Sequence, residues 1–164
     1  MVINSSSIGS AAEFAVAVSA MEYGFSVSQP LGCYAHYDLI MDVKGVLIKM
    51  QVKSLFNESK GPGRQLGLRC PCSRNIKQGT KRQEKIKYSL NDFDFAACYH
   101  RQSREIFIVP FDIFTVGKTF FSLSQKRQDL YRNAWHLLEE FVALKADRRQ
   151  QSAFNPINER FDSF

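Results

Sequence analysis

Tyr37-Asp-Leu-Ile-Met-Asp-Val-Lys-Gly-Val-Leu-Ile-Lys-Met-Gln-Val-Lys53 is the stretch on which the fold turns. Two apolar-rich runs flank Lys44-Gly45, and a glycine in a two-residue connection signals a β-hairpin. With that turn, Val43 faces Val46, each further pair follows in order, and Asp38 lies opposite Gln51. Directly opposed residues share a face, with Cβ atoms about 5 Å apart. Lys53 points to the same face roughly 7 Å further along the strand. The other face of the second run is Val46, Ile48, Met50 and Val52, which is wholly apolar and must be core. A slip of one residue would bury Lys49 and Lys53, so the facing is fixed.

A carboxylate, an amide oxygen and a lysine on one sheet edge suit a small hard cation and an anionic substrate. Magnesium takes oxygen ligands and keeps several waters. It can activate one water as nucleophile and stabilise charge on a phosphoryl oxygen, while a lysine holds that water or neutralises the crowded phosphate. Upstream, Glu13 is the one charged residue between positions 8 and 21, and an acid in an Ala-rich helix needs a partner or a task. Each residue also has a plain structural reading. Ser10-Ala-Ala-Glu13 fits a capping box. Asp38 and Lys53 can form a salt bridge, with Gln51 a solvated strand residue, and on spacing alone that reading is the better one.

Outward from the hairpin, residues 8–21 read as a helix, apolar nearly all round and so expected to be buried, with a stop at Gly24. Residues 25–29 alternate as a strand, ended by Pro30-Leu31-Gly32. Residues 57–63 read as a loop and Gln65–Cys70 as a short strand. Further strands are expected at 93–99, 105–109 and 118–123. Residues 125–146 carry Leu130, Ala134, Leu137, Leu138, Phe141, Val142 and Leu144 at the spacing of one helix, either core or an oligomer contact. The tail from Gln150 is polar. Residues 69–87 show no apolar periodicity and read as a loop. They carry seven basic residues against Glu84, a surplus equal to the whole chain's net charge of +6. The order of elements predicts an α/β fold, a mixed central β-sheet flanked by helices.

The chain's 164 residues suit one domain and are short for two. With 45% hydrophobic and 23% charged residues, the composition is globular rather than disordered. The positive surplus favours an anionic partner, nucleic acid before membrane surface. No apolar run approaches the roughly 18 residues of a membrane span, and the N-terminus lacks the basic start of a signal peptide. Cys33, Cys70, Cys72 and Cys98 offer no second ligand pair for zinc, so they read as reduced thiols of a cytoplasmic protein. His36 reads as incidental, and His100 and His136 carry no signal.

Glu13 in the first helix, Tyr37-Asp38 opening a strand and Gln51-Val52-Lys53 in the next resemble the PD-(D/E)XK nuclease superfamily. Tyr88-Ser-Leu-Asn-Asp-Phe-Asp94-Phe-Ala-Ala-Cys-Tyr99 and Ile106-Phe-Ile-Val-Pro110 resemble its compact branch. That branch holds the cyanobacterial group I intron-encoded homing endonucleases and, more distantly, archaeal Holliday-junction resolvases. The similarity covers about Gly9 to Pro110, as the core of a single domain.

The resemblance implies a DNA phosphodiesterase dependent on magnesium, with manganese as the second choice. It makes Asp38 the principal metal ligand, joined by Gln51, the main-chain carbonyl of Val52 and, through water, Glu13. Lys53 would orient or activate the attacking water. Gln51 departs from the usual Glu or Asp; the homing branch shares this glutamine, which argues for that branch over a junction resolvase. The basic segment then becomes a candidate contact with double-stranded DNA. Arg69, Arg74, Lys77, Lys81, Arg82, Lys85 and Lys87 would meet phosphates, and Gln78 or Gln83 would read base edges. The branch assembles as tetramers of small subunits, so a tetramer or dimer is expected, with the C-terminal helix and tail (118–164) available to build it. A site-specific homing endonuclease making double-strand breaks is the leading reading. A junction resolvase and a catalytically silent DNA-binding module are the alternatives.

Overall fold

The computed structural model describes residues 5–32, 34–58, 67–78, 82–115 and 119–153. Helix α1 (Ser5–Tyr23) leads into strand β1 (Ser26–Ser28). Gly24, at φ 108°, ends the helix. The Gly24 amide reaches the Met21 carbonyl and the Phe25 amide the Ala20 carbonyl, each at 3.0 Å, the paired bonds of a Schellman stop.

Two expectations for this helix change. Because it begins at Ser5, Ser10 is an interior residue and no capping box forms there. Nor is the helix buried all round. Ala12, Val16 and Ala20 make one buried stripe, whereas Phe14 is 67% and Met21 53% exposed. The buried stripe packs against the sheet.

Strands β2 (Leu39–Val43) and β3 (Val46–Glu58) form the expected antiparallel hairpin, with Val43 paired to Val46 and Leu39 to Met50. Lys44 (φ 54°) and Gly45 (φ 81°) both have positive φ, as a type I′ turn requires. The Asp42 carboxylate accepts the Gly45 amide at 2.8 Å, which steadies the non-glycine residue in that conformation. Ile48 and Met50 are fully buried and Val52 nearly so.

Strand β3 serves three partners in succession: β2 over Val46–Met50, then β7 (Phe95–His100) in parallel, then β4 (Gly67–Pro71). Strands β8 (Glu105–Pro110) and β9 (Phe120–Leu123) extend the sheet beside β7 and β4, and helix α2 (Phe111–Thr115) follows β8 directly. Among the described residues these make one mixed seven-stranded sheet, in which the β3–β7 pair is parallel and the other strand pairs antiparallel.

The segment 69–87 is not a loop. Its first residues complete β4, and β5 (Ser73–Gln78) pairs antiparallel with β6 (Arg82–Lys87) as a separate two-stranded ribbon. Apolar alternation was absent because the ribbon does not belong to the seven-stranded sheet.

The helix expected over 125–146 is two helices, α3 (Gln125–Tyr131) and α4 (His136–Ala153). Between them Asn133 adopts φ 47° and its amide bonds the Ile106 carbonyl at 2.8 Å. Arg132 pairs with Glu105 and bridges to Phe107. The chain leaves the helix to satisfy the β8 backbone, and helical spacing continues on both sides of the break.

Two cores result. One packs α1 and α4 on the sheet, through Ala12, Val16, Met41, Ile48, Trp135 and Leu138. The other holds Leu55, Cys70, Phe93, Cys98, Phe107 and Phe121. Asp38, Gln51 and Lys53 belong to the second side of the hairpin, opposite Leu39, Met50 and Val52. Among the described residues no helix is long and apolar enough to cross a membrane.

Candidate active site

The site forms where β2 pairing ends and β3 continues beside β7. The Asp38 amide closes the ladder on the Met50 carbonyl at 2.9 Å. From there the Asp38 carboxylate turns inward. Its Oδ2 accepts the Val52 amide at 2.7 Å and the Gln51 side-chain amide as well. Gln51 is 7% exposed, not a solvated strand residue; Ala96 flanks it on β7. Its Nε2 also donates to the Val52 carbonyl at 3.3 Å. One point is thus shared by the Asp38 carboxylate, the Gln51 amide and the Val52 main-chain oxygen.

That donor set fits a hard divalent cation. An amide is two-faced, and a half-turn of Gln51 exchanges its nitrogen for its oxygen. The convergence then consists of a carboxylate and two neutral oxygens, the ligand type magnesium or manganese takes. Among the described residues no cluster of three or more His, Cys, Asp or Glu side chains forms a candidate metal site. Two of this site's three donors, an amide and a carbonyl, lie outside those residue types.

Burial is the larger influence on both carboxylates. It raises Asp38 above the ordinary aspartate range, against the opposing pull of the Val52 amide, Lys53 and Gln51. It raises Glu13 too, and the nearby charge of Asp38 adds to that. Glu13 therefore comes from α1 into the electrostatic range of Asp38, and its carboxylate accepts the Gln29 side chain at 3.2 Å.

Lys53 makes no salt bridge with Asp38. Its Nζ reaches the Tyr88 hydroxyl at 2.6 Å and lies 5.1 Å from the Tyr88 ring centroid. The Tyr88 ring sits against Phe93, centroids 4.9 Å apart. Spacing could not show this, because 35 residues separate the partners. The available signal was a tyrosine between a basic segment and an apolar one, since a buried hydroxyl needs a hydrogen-bond partner.

His36, read as incidental, holds the Asp92 carboxylate at 2.6 Å. Burial works to raise Asp92, but the Ser89 amide and His36 outweigh it and keep this acid below its usual range. The pair ties the approach to β2 to the turn beyond β6.

The DNA-contact candidates fall into three groups. Arg69 lies in β4, its guanidinium 5.1 Å from the Phe56 and Phe120 ring centroids, packed within the fold. Arg74, Lys77 and Gln78 occupy β5, while Arg82, Gln83, Lys85 and Lys87 occupy β6. Lys81 lies outside the described residues, as does Cys33. Cys70 and Cys98 are buried with their sulfurs 3.9 Å apart.

The family model of PD-(D/E)XK endonucleases matches residues 3–138. The fold is similar to the structure of a bacterial homing endonuclease, I-Ssp6803I, with a TM-score of 0.73 and 30% sequence identity. That similarity covers 87% of this chain and 99% of the other. No curated protein matches the chain.

Proposed function

From the chain's membership of the PD-(D/E)XK endonuclease family, to which it belongs, we propose a metal-dependent, site-specific homing-type endonuclease. In this reading the DNA endonuclease makes double-strand breaks at a long target. Magnesium is the first-choice metal and manganese the second. The observation that carries it is the convergence of Asp38, Gln51 and the Val52 carbonyl on one point, with Lys53 next in sequence.

Asp38, Gln51 and the Val52 carbonyl would hold the metal, with Glu13 reaching it through water. A bound metal supplies Lewis acidity at the phosphate and a water of lowered pKa. Lys53 positions the attacking water and offsets the charge that builds on the phosphate. Tyr88 fixes where the Lys53 ammonium stands before DNA arrives. The β5–β6 ribbon supplies phosphate contacts close to the site, since Tyr88 directly follows β6. One subunit of this size reads only part of a long target, so the active form is taken as a dimer or tetramer. The likeness to a bacterial homing endonuclease favours sequence-specific cutting over junction resolution.

The test is a supercoiled plasmid library carrying random inserts, incubated in magnesium and in chelator. Cutting at one site, lost in chelator and in Lys53→Ala, is expected. Intact DNA under every metal condition would sink the nuclease reading. Cleavage of four-way junctions regardless of sequence would favour the resolvase. Gln51→Glu should leave activity retained or altered, not abolished.

A further inference from the structure

Residues 101–104, the turn between β7 and β8, belong neither to the basic segment 69–87 nor to the candidate site residues. We infer that this turn is a second contact with the DNA backbone, where Arg101 and Arg104 grip substrate phosphates a few base steps from the cut. The inference rests on the endonuclease reading above.

The parallel register places the turn. Lys53 pairs with Cys98 and Leu55 with His100, so Arg101 follows at the same end of the sheet. At about 3.3 Å per residue it lies roughly 10 Å beyond Lys53 along the strand direction. A DNA strand climbs about 3.4 Å per base, so that offset corresponds to about three base steps.

The turn is also held in shape. Gln102 accepts the Asn57 side chain at 2.8 Å, which pins the turn to the end of the strand that carries Gln51 and Lys53. His100 bonds the Ser103 hydroxyl at 2.7 Å, and that hydroxyl donates to Glu105 at 2.6 Å. Arg104 sits at φ 57°. A fixed turn loses little entropy when it meets a ligand.

Its charge is available. Arg101 and Arg104 are exposed, and neither forms an ion pair among the described residues. Glu105, the acid that follows the turn, is engaged by Arg132. Beside the turn runs a groove of about 480 Å³, where Ser54, Asn57, Arg101 and Gln102 stand beside the apolar Ile8, Leu55 and Phe56, with no carboxylate among the described lining residues. Amides, a hydroxyl and a cation around such a groove match a sugar–phosphate backbone.

Two paired variants test this. Arg101→Ala with Arg104→Gly removes both charges, and glycine keeps the left-handed backbone at 104. Arg101→Lys with Arg104→Lys retains the charges. Affinity for a random-sequence duplex is measured in chelator across a salt series, and cleavage in magnesium with DNA in excess. The first pair should flatten the plot of log affinity against log salt by about two, with an unchanged rate at saturating DNA. The lysine pair should restore the slope. An unchanged slope in the first pair, with a wild-type protein that binds and cuts, would overturn this inference alone. A lysine pair as weak as the first would do the same. A wild-type protein that neither binds nor cuts DNA overturns the endonuclease reading and this inference with it.

Discussion

Two hairpins in this chain are built on different grounds. In β2–β3 the turn has two positive-φ residues, and one face is sealed by Met41, Ile48 and Met50. A register slip there would bury charge, so the pairing is over-determined. The β5–β6 ribbon pairs six residues with six, but stands outside the large sheet, and Ile76 and Ile86 are its only apolar residues. A two-stranded ribbon is marginally stable by itself. The difference suits the two tasks proposed for them. Phosphoryl chemistry needs reacting groups held to a fraction of an ångström, whereas phosphate contacts need charge that follows the duplex.

That division of labour is open to four measurements. The largest effect is expected from Lys53→Ala, which should slow single-turnover cleavage about 10³-fold while duplex affinity stays near wild type. Lost affinity would show that the catalytic hairpin also carries binding. Next, replacing Lys77, Lys81, Arg82 and Lys85 together by alanine should reduce the salt dependence of binding by about three to four. The rate at saturating DNA should hold, and a collapse in that rate would mean the ribbon shapes the site directly.

Third, Tyr88→Phe keeps the ring on Phe93 but removes the hydroxyl from Lys53. It should lower kcat about tenfold, the size of one charged hydrogen bond, without changing KM. The smallest effect concerns stability. Burial raises Asp38, so the folded state favours its protonated form more than the unfolded chain does. The stability this lends is whole below the unfolded pKa and is lost as pH rises through the folded one. Melting curves in chelator should therefore place Asp38→Asn above wild type at neutral pH and level with it in acid. Cleavage should be lost in the same variant.

The β2–β3 hairpin was legible because its period-2 pattern, its glycine turn and its one apolar face all point to one register. Asp38 and Gln51 could be placed together from that register alone. Three other features depended on partners distant in sequence. Lys53 faces Tyr88 rather than Asp38 because the chain returns after β6. The ribbon carried no apolar signal because its pairing is local and outside the main sheet. The break at Asn133 goes with the bond from its amide to the Ile106 carbonyl on β8, which helical spacing does not register.

By itself, the sequence determined the hairpin, the side of it that faces the core and the concentration of charge in residues 69–87. Each is a local matter of alternation, turn geometry and composition. Tertiary structure alone decided the rest. It joined Tyr88 to Lys53 and His36 to Asp92, brought Glu13 within range of Asp38, and set the β7–β8 turn beside the end of β3. Those contacts join segments far apart in the chain, and they form only when burial of the two cores offsets the entropy of closing the loops between them.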